Sequence, residues 1–190
     1  MDVTIHNKEY TGVHPHKFLL WCAIAGMIMM FAALTSAYIV RKSAGNWLEF
    51  QMPVIFWVNT VVILLSSLTL HLSYKSFLKG NELQYKGFMF STFVLGIAFL
   101  VLQYKGWLTL TGMEIYLNTN PSASFLYVIS GIHAAHLIGG ITALCIAMTF
   151  AFKLTFSVTK RRSERFALVC TYWHFVDILW IYLMIFFIVQ

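Results

Sequence analysis

Five long apolar runs, separated by short polar segments, divide the chain at about residues 18–40, 54–74, 87–108, 125–152 and 166–189. Each run predicts a transmembrane helix, because a helix needs about 20 apolar residues to cross the hydrocarbon core of a bilayer. Pro53 stands just before the second run, where a helix start tolerates proline. The pattern predicts an all-α integral membrane protein, with a cytoplasmic N-terminal tail of residues 1–16 and a five-helix membrane domain of residues 17–190.

Composition supports a membrane protein over a soluble domain. The 190 residues are 59% hydrophobic and 11% charged, whereas soluble domains carry about 25% charged residues. The net charge of +6 is spread over the loops, so it does not indicate nucleic-acid binding. Cys22, Cys145 and Cys170 each lie alone inside an apolar run, a pattern that predicts neither a disulfide framework nor a zinc site.

The basic residues predict the orientation of the bundle. With five spans, ten of them fall on one side: Lys8, Lys17, Lys75, Lys79, Lys86, Lys153, Lys160, Arg161, Arg162 and Arg165. The other side has three, Arg41, Lys42 and Lys105. The positive-inside rule therefore places the N-terminus in the cytoplasm and the C-terminus outside. The first sixteen residues do not resemble a signal peptide, so we expect the first run to remain as an anchor.

Two of the apolar runs contain titratable residues near their centres. His133 and His136 lie in the fourth run, and His174 and Asp177 lie in the fifth. A charged residue at the bilayer centre costs about 2.5–3.5 kcal/mol on insertion scales. Members of each pair are three residues apart and share a helix face. Consecutive spans are antiparallel, which places His136 within about 3 Å in depth of Asp177. We therefore predict a structural polar network of these four residues, including a hydrogen bond between His136 and Asp177.

The fourth run also contains small residues at a spacing of four. Gly131, Ala135 and Gly139 form a stripe that allows close approach of another helix. At about 100° per residue the stripe and the histidine face differ by roughly 130°. We therefore expect helix four to be packed on two sides.

Two other roles stay open for the histidines. Three of them at similar depth can in principle ligate a metal or a haem iron, and titratable side chains can relay protons. The bulky side chains of Trp173, Phe175 and Trp180 leave little room for a haem. The seven histidines of the chain are scattered, which argues against a membrane di-iron site.

The same residues carry a resemblance to a known family. Residues 130–140 (SGIHAAHLIGG), followed about thirty residues later by residues 172–180 (YWHFVDILW), resemble subunit III of the haem–copper oxidases. The first helix, residues 17–39, is similar too, and so are Leu95, Gly96, Gln103 and Trp107 in the third. The match covers nearly the whole chain from residue 14.

The resemblance implies a short, five-helix bacterial form of cytochrome c oxidase subunit III. Such a chain is an accessory, non-redox subunit in the bacterial cytoplasmic membrane and not an enzyme alone. It packs against catalytic subunit I and other oxidase subunits, which hold the haems and copper, and a bound phospholipid is expected. The family's proposed roles are to sustain proton uptake and turnover, to bind lipid and to ease oxygen entry.

One position departs from the family. Many members carry a glutamate in this first helix, and Met27 occupies the matching position here. We therefore do not expect carbodiimide reactivity or a proton-antenna role in helix one. Other possible classes are a related subunit of a quinol oxidase or nitric oxide reductase and, more distantly, an autonomous membrane haem protein or a transporter.

Overall fold

The computed structural model describes residues 15–48 and 50–190, so most of the predicted N-terminal tail lies outside the described residues. The described part contains five α-helices: Pro15–Ser43 (α1), Val54–Leu78 (α2), Glu82–Gly112 (α3), Pro121–Lys153 (α4) and Lys160–Val189 (α5). Each helix is long and apolar enough to cross a membrane. The five-helix membrane fold predicted from the hydrophobic pattern is confirmed.

The helices α1, α3 and α4 extend beyond the predicted apolar run at both ends, whereas α2 extends only at its C-terminal end and α5 only at its N-terminal end. Polar residues continue each helix where the apolar run stops. In α3 the added first turn contains an i,i+4 ion pair between Lys86 and Glu82 at 2.5 Å, a spacing that supports helix formation. Three helices begin at a residue whose side chain accepts a hydrogen bond from the first turn. These residues are Asn81 before α3, Asn120 before α4 and Thr159 before α5, all residue types favoured at such positions.

The turn between α2 and α3 depends on one glycine. Gly80 has φ +76°, a left-handed conformation that favours glycine because it lacks a Cβ. The amide of Gly80 donates to the carbonyl of Phe77, and the amide of Asn81 donates to the carbonyl of Ser76, both at 3.0 Å. This pattern ends a helix while satisfying its last carbonyl groups.

The helices α2, α3, α4 and α5 form a ring. Contacts join α2 to α3, α3 to α4, α4 to α5 and α5 back to α2, whereas α1 contacts only α4 and α5 within the described residues. The largest side chains of the ring's interior include Trp173 and Trp180 of α5 and Phe99 of α3, each 1% exposed or less. The fold is therefore a four-helix bundle with α1 on its outside.

A few side chains hold α1 to the ring. The Thr35 hydroxyl lies 3.0 Å from the Tyr182 hydroxyl of α5. Tyr38 packs edge-on against Phe186 of α5, with ring centroids 5.0 Å apart. Beyond it, the ammonium group of Lys42 donates to the main-chain oxygen of Gln190. These contacts concentrate at the C-terminal half of α1.

Candidate functional site

The polar side chains in the middle of α5 face α2. The indole nitrogen of Trp173 donates to the hydroxyl of Ser66 at 2.8 Å. Thr60 lies six residues before Ser66 in α2, and its Oγ1 accepts a hydrogen bond from the indole nitrogen of Trp180 at 3.0 Å. His174 Nδ1 lies 2.6 Å from the hydroxyl of Ser67. We call this set the α2–α5 seam, which consists of Thr60, Ser66, Ser67, Trp173, His174 and Trp180.

The spacing of the seam follows from antiparallel packing. Thr60 and Ser67 on α2 are seven residues apart, and so are Trp173 and Trp180 on α5. Seven residues make about two helical turns, so each pair lies on one face of its helix. Because the two helices run in opposite directions, Thr60, the earlier residue on α2, pairs with Trp180, and Ser66 pairs with Trp173.

Asp177 lies between the two tryptophans of the seam along α5. Its side chain is 2% exposed, and neither carboxyl oxygen forms a well-oriented hydrogen bond with the described residues. Asp177 follows His174 by three residues and therefore shares its face of α5, on which Nδ1 of His174 lies 2.6 Å from the hydroxyl of Ser67 of α2. Asp177 therefore belongs to the α2 side of α5.

His136 lies on a different side of the bundle. Its Nδ1 is 2.8 Å from the carbonyl oxygen of Ile132 in its own helix, and its ring packs edge-on against Phe31 of α1, with centroids 5.9 Å apart. The structure therefore does not join His136 to Asp177. His136 packs toward α1, whereas Asp177 shares the face of α5 on which His174 contacts α2. The predicted match in depth does not determine direction around the helix axis.

His133 is enclosed in the ring. Its ring centroid lies 4.9 Å from that of Trp180 and 5.8 Å from that of Phe99. The side chain is fully buried, and both ring nitrogens are without a hydrogen-bond partner among the described residues. The four predicted polar residues thus divide into three places: His174 and Asp177 at the seam, His133 in the core and His136 toward α1.

Among the described residues, no helix packs closely against the predicted small-residue stripe of α4, although the Tyr172 hydroxyl of α5 would lie 3.5 Å from a Cβ at Gly139. Ala135 and Gly139 are exposed, and the nearest side-chain atom to a Cβ built at Gly131 is 4.0 Å away, on Trp107.

Close packing occurs instead at three other glycines: Gly106, which would place a Cβ 3.1 Å from Phe56, and two glycines beside Trp173. A Cβ on Gly96 of α3 would lie 2.9 Å from Trp173, and one on Gly140 of α4 would lie 3.3 Å from it.

Sequence reasoning missed the hydroxyl residues of α2 and the two glycines around Trp173. The hydroxyl side chains are polar positions inside an apolar run, and Gly96 is one of the residues of α3 that carry the family resemblance. A second buried pair crosses the ring, since the Asn59 amide nitrogen donates to Gln103 Oε1 at 3.0 Å. None of these pairings has a sequence signal of its own, because each joins residues at least 33 positions apart.

The position of the missing family acid faces His136. Met27 of α1 is buried and lines, with His136, a cavity of about 340 Å³ between α1, α4 and α5. Tyr172 lines the same cavity and donates from its hydroxyl to the carbonyl oxygen of His136 at 3.0 Å. An acid at residue 27 would therefore be near the imidazole of His136.

No group of three or more His, Cys, Asp or Glu side chains in residues 15–48 and 50–190 is placed to hold a metal ion. The chemistry of the seam is hydrogen bonding between indole, imidazole and hydroxyl groups, with the Asp177 carboxyl group buried beside them. Such groups can hold helices together and can accept or release protons.

The five apolar helices define a multi-pass membrane protein. Four of these helices form the ring, and their polar groups lie in or around it. The family model described as cytochrome c oxidase subunit III matches residues 46–189. The chain therefore belongs to the cytochrome c oxidase subunit III family, as the resemblance implied.

Curated relatives from several organisms agree with this assignment. A protein of Nocardia farcinica named "probable cytochrome c oxidase subunit 3" is 28% identical over 187 residues, covering 93% of this chain and 88% of the relative. Cytochrome c oxidase subunit 3 of Alkalihalophilus pseudofirmus is 25% identical over 184 residues, covering 94% and 88%. The Dugong dugon protein of the same name is 32% identical over 126 residues, or 66% of this chain and 46% of the relative.

Proposed function

We propose that this chain is an accessory, non-redox subunit of a bacterial respiratory terminal oxidase, and that it packs on the catalytic subunit I and supports its stability and turnover. Family membership carries the proposal. The arrangement of the seam supports it, because the indole and imidazole groups in the middle of α5 are used for bonds within the chain. The complex as a whole, in the bacterial cytoplasmic membrane, reduces oxygen and pumps protons.

Co-purification tests the proposal directly. An affinity tag on this chain should recover a haem-containing catalytic subunit and other oxidase subunits, identified by mass spectrometry. Recovery of the chain without any haem protein from membranes of respiring cells would contradict it. The electron donor distinguishes the related forms, because a quinol oxidase or a nitric oxide reductase would co-purify with different partner subunits.

A variant of the buried acid separates a structural role from a redox role. In Asp177→Ala the haem spectrum of the complex should be unchanged, while this subunit dissociates more readily during purification. Loss of the haem signals in a complex that retains this chain would contradict the structural role. A visible spectrum of the isolated chain should lack Soret absorption, whereas an autonomous membrane haem protein would show it.

We also propose a phospholipid at the groove beside the start of α1. The groove encloses about 780 Å³ between α1 and α5 and has an apolar floor that includes Leu20, Trp21 and Leu168. Lys17, Arg161 and Arg165 at its margin offer positive charges to a phosphate headgroup. Arg161→Ala combined with Arg165→Ala should reduce the phospholipid that remains in the purified complex, and Lys105→Ala, at the other end of the bundle, should not.

A further inference from the structure

The carboxyl group of Asp177 forms no ion pair with any residue in the part of the chain that the structure describes. The ion pair recorded in the described residues joins Lys86 and Glu82, and Asp177 is 2% exposed. A buried carboxylate without a partner is unfavourable by several kcal/mol, so such a group tends to be neutral. A neutral acid at this depth needs a route by which a proton reaches it from water.

A chain of groups that can carry protons leads from Asp177 to the surface of α2. Ser67 faces the side of α5 that carries His174 and Asp177, and its hydroxyl is 2.6 Å from Nδ1 of His174. The ring of His174 is 6.3 Å, centroid to centroid, from the ring of His71. His71 is exposed on α2, and either one bridging water or a rotation of its ring connects imidazoles at this separation.

We propose that His71, His174 and Ser67 form a proton-exchange path that ends at Asp177. A proton from water binds His71 and passes to Nε2 of His174, which releases its Nδ1 proton to the oxygen of Ser67. The Ser67 hydroxyl gives its own proton to the carboxylate, which becomes a carboxylic acid. No electrons move, and the path stores one proton in this subunit.

The surroundings of Asp177 explain why the path ends there. On α4 the nearest titratable group that faces this part of α5 is His133, behind the ring of Trp180 at 4.9 Å. On α3 the facing side chain is Phe99, also 4.9 Å from Trp180. The Trp180 nitrogen is already bonded to Thr60, and α1 reaches α5 through Thr35 and Tyr182. Groups that can donate and accept protons therefore lie on the His71 side, whereas aromatic rings face Asp177 from the α3 and α4 side.

The entry to the path lies in the half of α2 nearer its C-terminal end. His71 is seven residues before Leu78, the last residue of α2, which corresponds to about 10 Å along the helix axis. That end is the one predicted to be cytoplasmic. The inference goes beyond the proposed function, because it concerns groups inside this chain and does not depend on the identity of the partner.

Infrared spectroscopy of the purified membrane complex tests the path. The carbonyl stretch of a protonated Asp177 should be present in the unmodified protein at neutral pH and absent in Asp177→Asn, and it should shift in deuterated water. In His71→Gln and Ser67→Ala the rate of this isotope shift should fall by about tenfold or more, equivalent to an added barrier of about 1.4 kcal/mol. A purely structural role of these residues would not change the exchange rate.

Matched variants serve as controls. His136→Gln replaces a histidine on the α1 side, and Ser91→Ala replaces an exposed serine whose hydroxyl bonds to the carbonyl of Gly87. Both should leave the rate unchanged. Two results would overturn the proposal: no carboxylic-acid band assignable to Asp177, or an unchanged rate in His71→Gln. The result for His71→Gln can be interpreted even if Ser67→Ala fails to fold, because His71 is exposed.

Discussion

At the scale of single residues, the packing around Trp173 is the most constrained part of the molecule. The indole is 1% exposed, its nitrogen is bonded to Ser66, and glycines of α3 and α4 lie against its ring. A side chain fixed by a hydrogen bond on one side has little freedom to move away from new atoms on the other.

We therefore expect Gly96→Ala to destabilise the protein. The added methyl group would lie 2.9 Å from Trp173, and overpacking of this kind costs about 1–3 kcal/mol. Gly87→Ala in the same helix has nothing within 4 Å and should be neutral or stabilising by up to about 1 kcal/mol. Unfolding of the purified protein in detergent measures both. Equal shifts for the two variants would show that Trp173 is not fixed.

The second residue-scale prediction concerns Met27. The helix Pro15–Ser43 contains no acid, so a hydrophobic carbodiimide should not modify it at neutral pH. Met27→Glu places a carboxyl group in the cavity shared with His136 and should introduce labelling within α1. Peptide mapping by mass spectrometry locates the adduct. An adduct on α1 of the unmodified chain would contradict the prediction.

At the scale of helices, hydroxyl groups of α2 join it to α5. In Ser66→Ala the buried Trp173 nitrogen loses its acceptor, which costs about 1–3 kcal/mol in soluble proteins. Bonds between membrane helices average only about 0.6 kcal/mol, because the reference state in the membrane also finds partners. We expect a loss between these values in detergent unfolding. Trp173→Phe in the Ser66→Ala background should add less than it does alone, which a double-mutant cycle measures.

The helices themselves were predictable and their pairing was not. Apolar run length determines which segments cross a bilayer, so all five helices follow from hydrophobicity. Helical rise also predicts that His136 and Asp177 lie at similar depth, but it does not predict their direction. Which way Asp177 points depends on the rotation of α5, and that is determined by Trp173, Trp180 and their partners on α2, residues more than a hundred positions away.

At the scale of helices, a contact of Lys42 also holds the end of α1 to the end of α5. Lys42, near the end of α1, donates to the last residue of the described chain, at the end of α5. A cation there also interacts favourably with the C-terminal dipole of α5, an effect of about 0.3–1 kcal/mol. Lys42→Met should therefore increase proteolysis within α1, whereas Arg41→Met should have a smaller effect because Arg41 bonds locally to the carbonyl of Gly45. Equal effects would show that only charge matters.

At the scale of the whole molecule, the ring and α1 are separate parts. The family model begins at residue 46 and so covers the four helices of the ring, while α1 packs on the outside against α4 and α5. This arrangement places the seam and His133 in the part that matches the family model, and it leaves Met27 and the cavity beside His136 at the boundary between the ring and α1.

The orientation of the bundle determines which side of the membrane supplies protons to His71. The positive-inside rule predicts this orientation, because ten basic residues lie on the N-terminal side and three on the other. A membrane-impermeant maleimide should therefore label Asn118→Cys, in the loop before α4, from outside intact cells. Val158→Cys, in the loop before α5, should be labelled only in inverted vesicles. The unmodified chain is the control, because its cysteines lie inside helices. The reverse labelling would invert the topology and would move the entry of the proposed proton path to the outer side.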